Sequence, residues 1–209
     1  MSTLNVNTIQ ETTSANGVSI DGVTIKDGQV PASAGSSLVL LKSGTPSGAN
    51  TGTTFDDFYS SEYDVYLSIG SGLRASVDGT TISIQFYNSS GSAITSSDYK
   101  YSTRMISSAG TVWDWQSATA SSISPGAIGN ADGESYSFAL WWYSFNNALA
   151  FPYCSGTLCF QYTDANILQG SLAGTNTNNV ATAMRGLKFA TSTGVFRGTG
   201  TIQIYGLKK

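Results

Sequence analysis

The chain has 209 residues and a mass of 21.9 kDa, enough for one substantial domain with an appendage, and a body of that size holds a core without metal or disulfide staples. Charged residues make up 11% of it, against about 25% in an average soluble domain, so hydroxyls and amides cover the surface in the manner of extracellular β-proteins. A net charge of -3 with a pI near 4.7 offers no basic footprint for nucleic acid, and no apolar run reaches the roughly 18 residues that suggest a membrane span.

The N-terminal stretch repeats one phrase: Leu4-Asn5-Val6-Asn7-Thr8-Ile9, then Gly17-Val18-Ser19-Ile20-Asp21-Gly22-Val23-Thr24-Ile25-Lys26-Asp27-Gly28. Apolar/polar alternations cut by Gly and Asp-Gly predict small strands joined by tight turns, too short to hide a hydrophobic face alone. Residues 1–30 therefore read as a segment that needs a partner. The start Met1-Ser2-Thr3-Leu4 lacks the basic region and apolar core of a secretory signal, which predicts a chain made and kept in the cytoplasm. Residues 31–37, Pro31-Ala32-Ser33-Ala34-Gly35-Ser36-Ser37, have no periodicity and predict a flexible linker.

A body domain follows over 38–209. Its first apolar run is Leu38-Val39-Leu40-Leu41, and further strand signals recur over 63–69, 81–86, 99–105, 135–143, 158–162, 183–189 and 200–206. About eight strands at this spacing, with Gly and Asn between them, predict an all-β fold, a β-sandwich, with a jelly roll as the sharper expectation. Asp-Gly pairs at Asp78-Gly79 and Asp132-Gly133, like Asp21-Gly22 and Asp27-Gly28, fit hairpin turns better than calcium loops, because the EF-hand spacing is missing.

Cys154 and Cys159 are the only cysteines. A reduced pair, a hairpin disulfide formed outside the cell and a metal site are the three readings; the lack of His and of a second Cys pair weighs against structural zinc. No cofactor is expected.

Among candidate sites, Trp113-Asp114-Trp115 stands out, since indoles stack on sugar faces and a flanking carboxylate accepts hydroxyl hydrogen bonds. In a strand the two indoles share one face and Asp114 takes the other. The competing reading is that both indoles pack against a sheet or a subunit. Trp141-Trp142-Tyr143, within a longer apolar strand, predicts core packing. Asp56 with Asp57, Glu62 with Asp64, and Asp132 with Glu134 are carboxylate clusters, but glycosidases need two carboxyls across the scissile bond, and the absence of His removes the Ser-His-Asp route. The expectation is a protein that is not an enzyme.

The N-terminal phrase resembles the opening of many tailed-phage virion proteins, especially tail-fibre and structural proteins of marine phages and cyanophages. The body also resembles a phage structural module: Phe55-Asp56-Asp57-Phe58 leads into Tyr63-Asp64-Val65-Tyr66, then come Asp98-Tyr99-Lys100-Tyr101 and the closing Gly198-Thr199-Gly200-Thr201-Ile202-Gln203-Ile204-Tyr205-Gly206-Leu207-Lys208. The resemblance implies a structural component of the virion, assembled in the host cytoplasm. It implies a homotrimeric tail fibre or spike whose N-terminal segment attaches to other virion proteins and whose sandwich contacts host surface carbohydrate. A capsid decoration or head-fibre protein is the alternative, and a polysaccharide-degrading spike a more remote one.

Overall fold

The computed structural model describes residues 18–20, 23–25, 37–46, 52–145, 147, 150–162, 166–177 and 184–208. The alternation over 4–9, most of the linker and the Asp21-Gly22 and Asp27-Gly28 turns lie outside the described residues. The chain divides into two compact units, Met1–Val39 and Leu40–Lys209. In the first, β1 (Val18–Ile20) and β2 (Val23–Ile25) pair antiparallel with Ile20 opposite Val23, as the alternation predicts.

The second unit is an all-β sandwich of two antiparallel sheets. One has eight strands in the order β3 (Leu38–Gly44, within which the division between units falls), β14 (Thr201–Lys208), β5 (Tyr63–Leu73), β10 (Tyr136–Tyr143), β11 (Tyr153–Tyr162), β12 (Asn166–Asn176), β7 (Tyr99–Ser107) and β8 (Val112–Ala120). The other has four, β4 (Gly52–Phe55), β13 (Gly186–Thr191), β6 (Thr80–Tyr87) and β9 (Ile123–Ile128). No helix among the described residues is long and apolar enough to cross a membrane.

The period of two in the sequence sets the two faces of each strand. Along β10, Tyr136, Phe138, Leu140 and Trp142 are buried and alternate with half-buried Ser137, Ala139, Trp141 and Tyr143. The expected core packing of residues 141–143 is therefore correct for Trp142 alone; its neighbours point to the outer face because adjacent strand residues cannot share one. Across the sandwich Phe138 stacks on Phe189 of β13 at 5.4 Å, and Phe86 of β6 meets Trp142 edge-on at 5.7 Å. Several buried polar groups find partners, as a low-dielectric interior favours. Trp142 Nε1 donates to Ser68 Oγ at 2.8 Å, while the Tyr99 hydroxyl donates to the Ile94 carbonyl and accepts from the Phe86 amide. Burial raises the Tyr99 phenol above its ordinary range and pushes that of Tyr66 up to about 12.

Asp78-Gly79 and Asp132-Gly133 do not close hairpins. The first leads from β5 to β6 and the second from β9 to β10, so each carries the chain from one sheet to the other. The second crossing is clamped. Arg74 Nη2 donates to Asp132 Oδ1 and to the Ala131 carbonyl, each at 2.7 Å, and Glu134 Oε2 accepts from the Ala131 amide at 2.6 Å. The hydrogen bond from Arg74 and its charge hold the Asp132 carboxyl below its ordinary range. This carboxylate pair secures a crossing between sheets.

Candidate functional site

Trp113, Asp114 and Trp115 lie on β8, the last strand of the large sheet, opposite Met105, Arg104 and Thr103 of β7. Alternation turns both indoles inward, with ring centroids 5.8 Å apart. With Ala127 of β9, Phe160 and Leu168 they line a cavity of ≈ 220 Å³ at the open end of the sandwich. Asp114 faces the other way, where Arg104 Nε lies 3.8 Å from its carboxylate. The structure thus brings the two indoles together and separates Asp114 from them, so this carboxylate cannot bond the hydroxyls of a sugar stacked on the rings. Trp115 is half-buried and Trp113 keeps 39% of its surface exposed, which makes them a partial lid on the core.

The Asp56–Asp57 cluster serves the scaffold. Arg185 Nε donates to Asp56 Oδ1 at 2.7 Å and also approaches Asp57, tying the segment after β4 to the entry of β13. Among the described residues no group of three or more His, Cys, Asp or Glu side chains could hold a metal ion.

The two cysteines share β11 and, five residues apart, point to opposite faces: Cys154 is buried and Cys159 exposed. An extended strand separates their Cα atoms by about 16 Å, whereas a disulfide needs less than about 7 Å. A disulfide between them within one chain is excluded. Burial also pushes the Cys154 thiol up to about 12. Titration of the native chain with a chromogenic disulfide reagent is therefore expected to count one reactive thiol, Cys159, and the denatured chain two; two fast thiols in the native state would contradict the placement of Cys154.

The larger concavity lies on the outer face of the eight-stranded sheet, and residue patterns do not single it out. A hollow of ≈ 770 Å³ includes Arg104, Thr157, Gln169 and Ser171 in its lining. Through Thr157 and Gln169 it continues into one of ≈ 390 Å³ that reaches Ser71, Ser137 and Cys159. The available signal was the outward set of β12, Ile167-Gln169-Ser171-Ala173-Thr175, a period-two run masked by glycines at the inward positions Gly170 and Gly174. The chain matches no known protein family, no curated protein and no solved structure. What the site can do therefore follows from its geometry: side chains on a broad, outward-facing sheet can hold an extended ligand.

Proposed function

We propose that this chain is a structural component of a phage virion, a tail fibre or spike that docks through its N-terminal unit and turns its sandwich toward the host surface. The observation that carries this reading is where the phage-like phrases fall. The N-terminal phrase contains the β1–β2 hairpin, and the three body phrases form β5, β7 and β14, all strands of the large sheet. The resemblance therefore lies on the skeleton of the fold.

Strand order supports the jelly-roll reading of the body. Without the hairpins β7–β8 and β11–β12, eight strands remain; numbered in chain order, they lie as 1-8-3-6 in one sheet and 2-7-4-5 in the other. Consecutive strands that interleave between two sheets in this way form the double Greek key of a jelly roll.

The protein is a homotrimer in this reading, because short N-terminal strands need neighbours to cover their faces, and a closed threefold assembly supplies them. The test is deletion of residues 1–30. The remaining body is expected to stay soluble and melt cooperatively, while particles assembled with it lack the protein. Particles that still carry the truncated chain would overturn the docking role, and a monomeric mass by light scattering of the full chain at micromolar concentration would overturn the trimer.

A further inference from the structure

The outer face of the large sheet is hollowed along β12. The ≈ 770 Å³ hollow lies toward its Ile167 end, and a second of ≈ 400 Å³, with Lys100, Ser102 and Tyr153 in its lining, lies toward Thr175. Both are bounded by β11 on one side and β7 on the other. Strand register makes them consecutive: Thr157, Ser171 and Arg104 stand abreast, then Ser155, Ala173 and Ser102, then Tyr153, Thr175 and Lys100. The result is a trough about 26 Å long, at roughly 3.3 Å per residue from Ile167 to Thr175, and about two strand spacings wide.

The chemistry of this trough is unlike that of the chain as a whole. The chain carries a net charge of -3, yet no carboxylate lines either hollow, and two cations do. Lys100 has no ion pair among the described residues. Arg104 is held only loosely by Asp114, at 3.8 Å with 69% and 61% of the two side chains exposed. Both cations stand on the same face of β7, about 13 Å apart. Between them and β11 the floor carries the hydroxyl and amide side chains of Ser155, Thr157, Gln169 and Ser171 beside Ala173, and exposed Ile106 and Ile167 stand at the end opposite Tyr153. The side chains of Ser155, Thr157, Gln169 and Ser171 make no hydrogen bond among the described residues, so their donors and acceptors are free for a ligand. At one end Tyr153 is exposed and braced by Tyr143, the two rings stacked at 4.8 Å, which leaves a rigid aromatic wall.

We propose that this trough binds an extended acidic glycan, a saccharide chain bearing carboxylate groups. Its sugars lie along β12 beside the hydroxyl and amide side chains, its carboxylates meet Lys100 and Arg104, and a ring packs against Tyr153. Arg favours carboxylates through paired charge-assisted hydrogen bonds. A protein partner is the poorer fit, because the centre of a protein interface is apolar and aromatic, whereas here the large apolar side chains, Ile106 and Ile167 at one end and Tyr153 at the other, flank a middle that carries Thr157, Gln169 and Ser171. The surface is distinct from the Trp113–Trp115 cavity, which opens on the inner face. The virion role proposed above supplies only the setting in which such binding matters; the binding itself is a property of the purified chain.

The test is electrophoresis of the full-length protein through native gels containing polygalacturonate, alginate or neutral dextran. Retardation is expected in the two acidic polymers and not in dextran. The double variant Lys100→Ser/Arg104→Ser should lose at least about tenfold in affinity and Tyr153→Ala severalfold, with melting midpoints unchanged, while Trp113→Ala binds as the parent does. Attraction to any polyanion is controlled by Lys42→Ser/Lys208→Ser, which removes the same two charges from exposed positions on β3 and β14. An equal loss in that variant, equal retardation by dextran, or no retardation by either acidic polymer would overturn the site. The virion reading is decided separately, by particle incorporation.

Discussion

Trp142→Ala is expected to destabilise the sandwich by about 4 kcal/mol, within the range for truncating a fully buried Trp. The indole has no exposed surface, packs against Phe86 and Phe145, and donates to Ser68 Oγ, itself fully buried. Truncation leaves both a cavity and a hydroxyl whose remaining hydrogen bond among the described residues is the long one to the Leu140 carbonyl, at 3.5 Å. At 2–4 °C per kcal/mol for a chain of this size, the melting midpoint should fall by about 10 °C. Trp142→Phe separates the two contributions. It keeps most of the ring volume, loses the hydrogen bond and should cost about 1–3 kcal/mol. Urea melts of both variants decide the matter: a loss under about 1 kcal/mol for the alanine variant would mean that β10 does not present residue 142 to the core.

Gly156→Ala is expected to cost about 3 kcal/mol although it adds a single methyl group. Gly156 stands in register between Leu140 and Leu172 at the centre of the large sheet. A Cβ there would overlap the carbonyl oxygen of Ala139 and lie 2.8 Å from Leu140 Cα. Both are backbone atoms of β10, so no side-chain rotation relieves the clash and the strands must part, at the upper end of the cost of overpacking. Gly110→Ala provides the contrast. Its φ of +82° is unfavourable for an L-residue, but nothing lies within 4 Å of the added carbon, so the cost is the backbone term alone, roughly 1–2 kcal/mol. Equal losses in the two variants, compared by denaturant titration, would remove the close approach of β10 and β11 as the reason for glycine at 156.

These two strands also show how far the sequence carries. All eight strand signals of the body fall on strands, because Tyr136, Phe138, Leu140 and Trp142, or Ile202 and Ile204, place apolar side chains at alternate positions. Four strands escape that test. β4 has four residues, of which only Phe55 is large, and β9 contains Pro125 and Gly126, tolerated because it lies at the edge of its sheet. In β8 the large apolar residues Val112, Trp113 and Trp115 are followed by Gln116, Ser117, Ala118 and Thr119, and in β12 glycine occupies inward positions where an apolar residue would have marked the period. The opposite facing of Trp113 and Asp114 follows from alternation alone. The trough does not, since Tyr153, Ser171, Lys100 and Arg104 are brought together only by the pairing of β12 with both β11 and β7, a long-range order that no local pattern encodes.

The two hairpins that widen the large sheet have a consequence for how such a protein can change. β7–β8 interrupts the chain between β6 and β9, which remain partners in the small sheet, and β11–β12 interrupts it between β10 and β13. Every strand that lines the trough belongs to one of these insertions. The residues that select a ligand can therefore be rewritten, lengthened or grafted from a relative while the interleaved eight-strand frame keeps its own register. The exchange has one constraint: β12 pairs with β7, so the hairpins rest on each other and a workable graft must carry both.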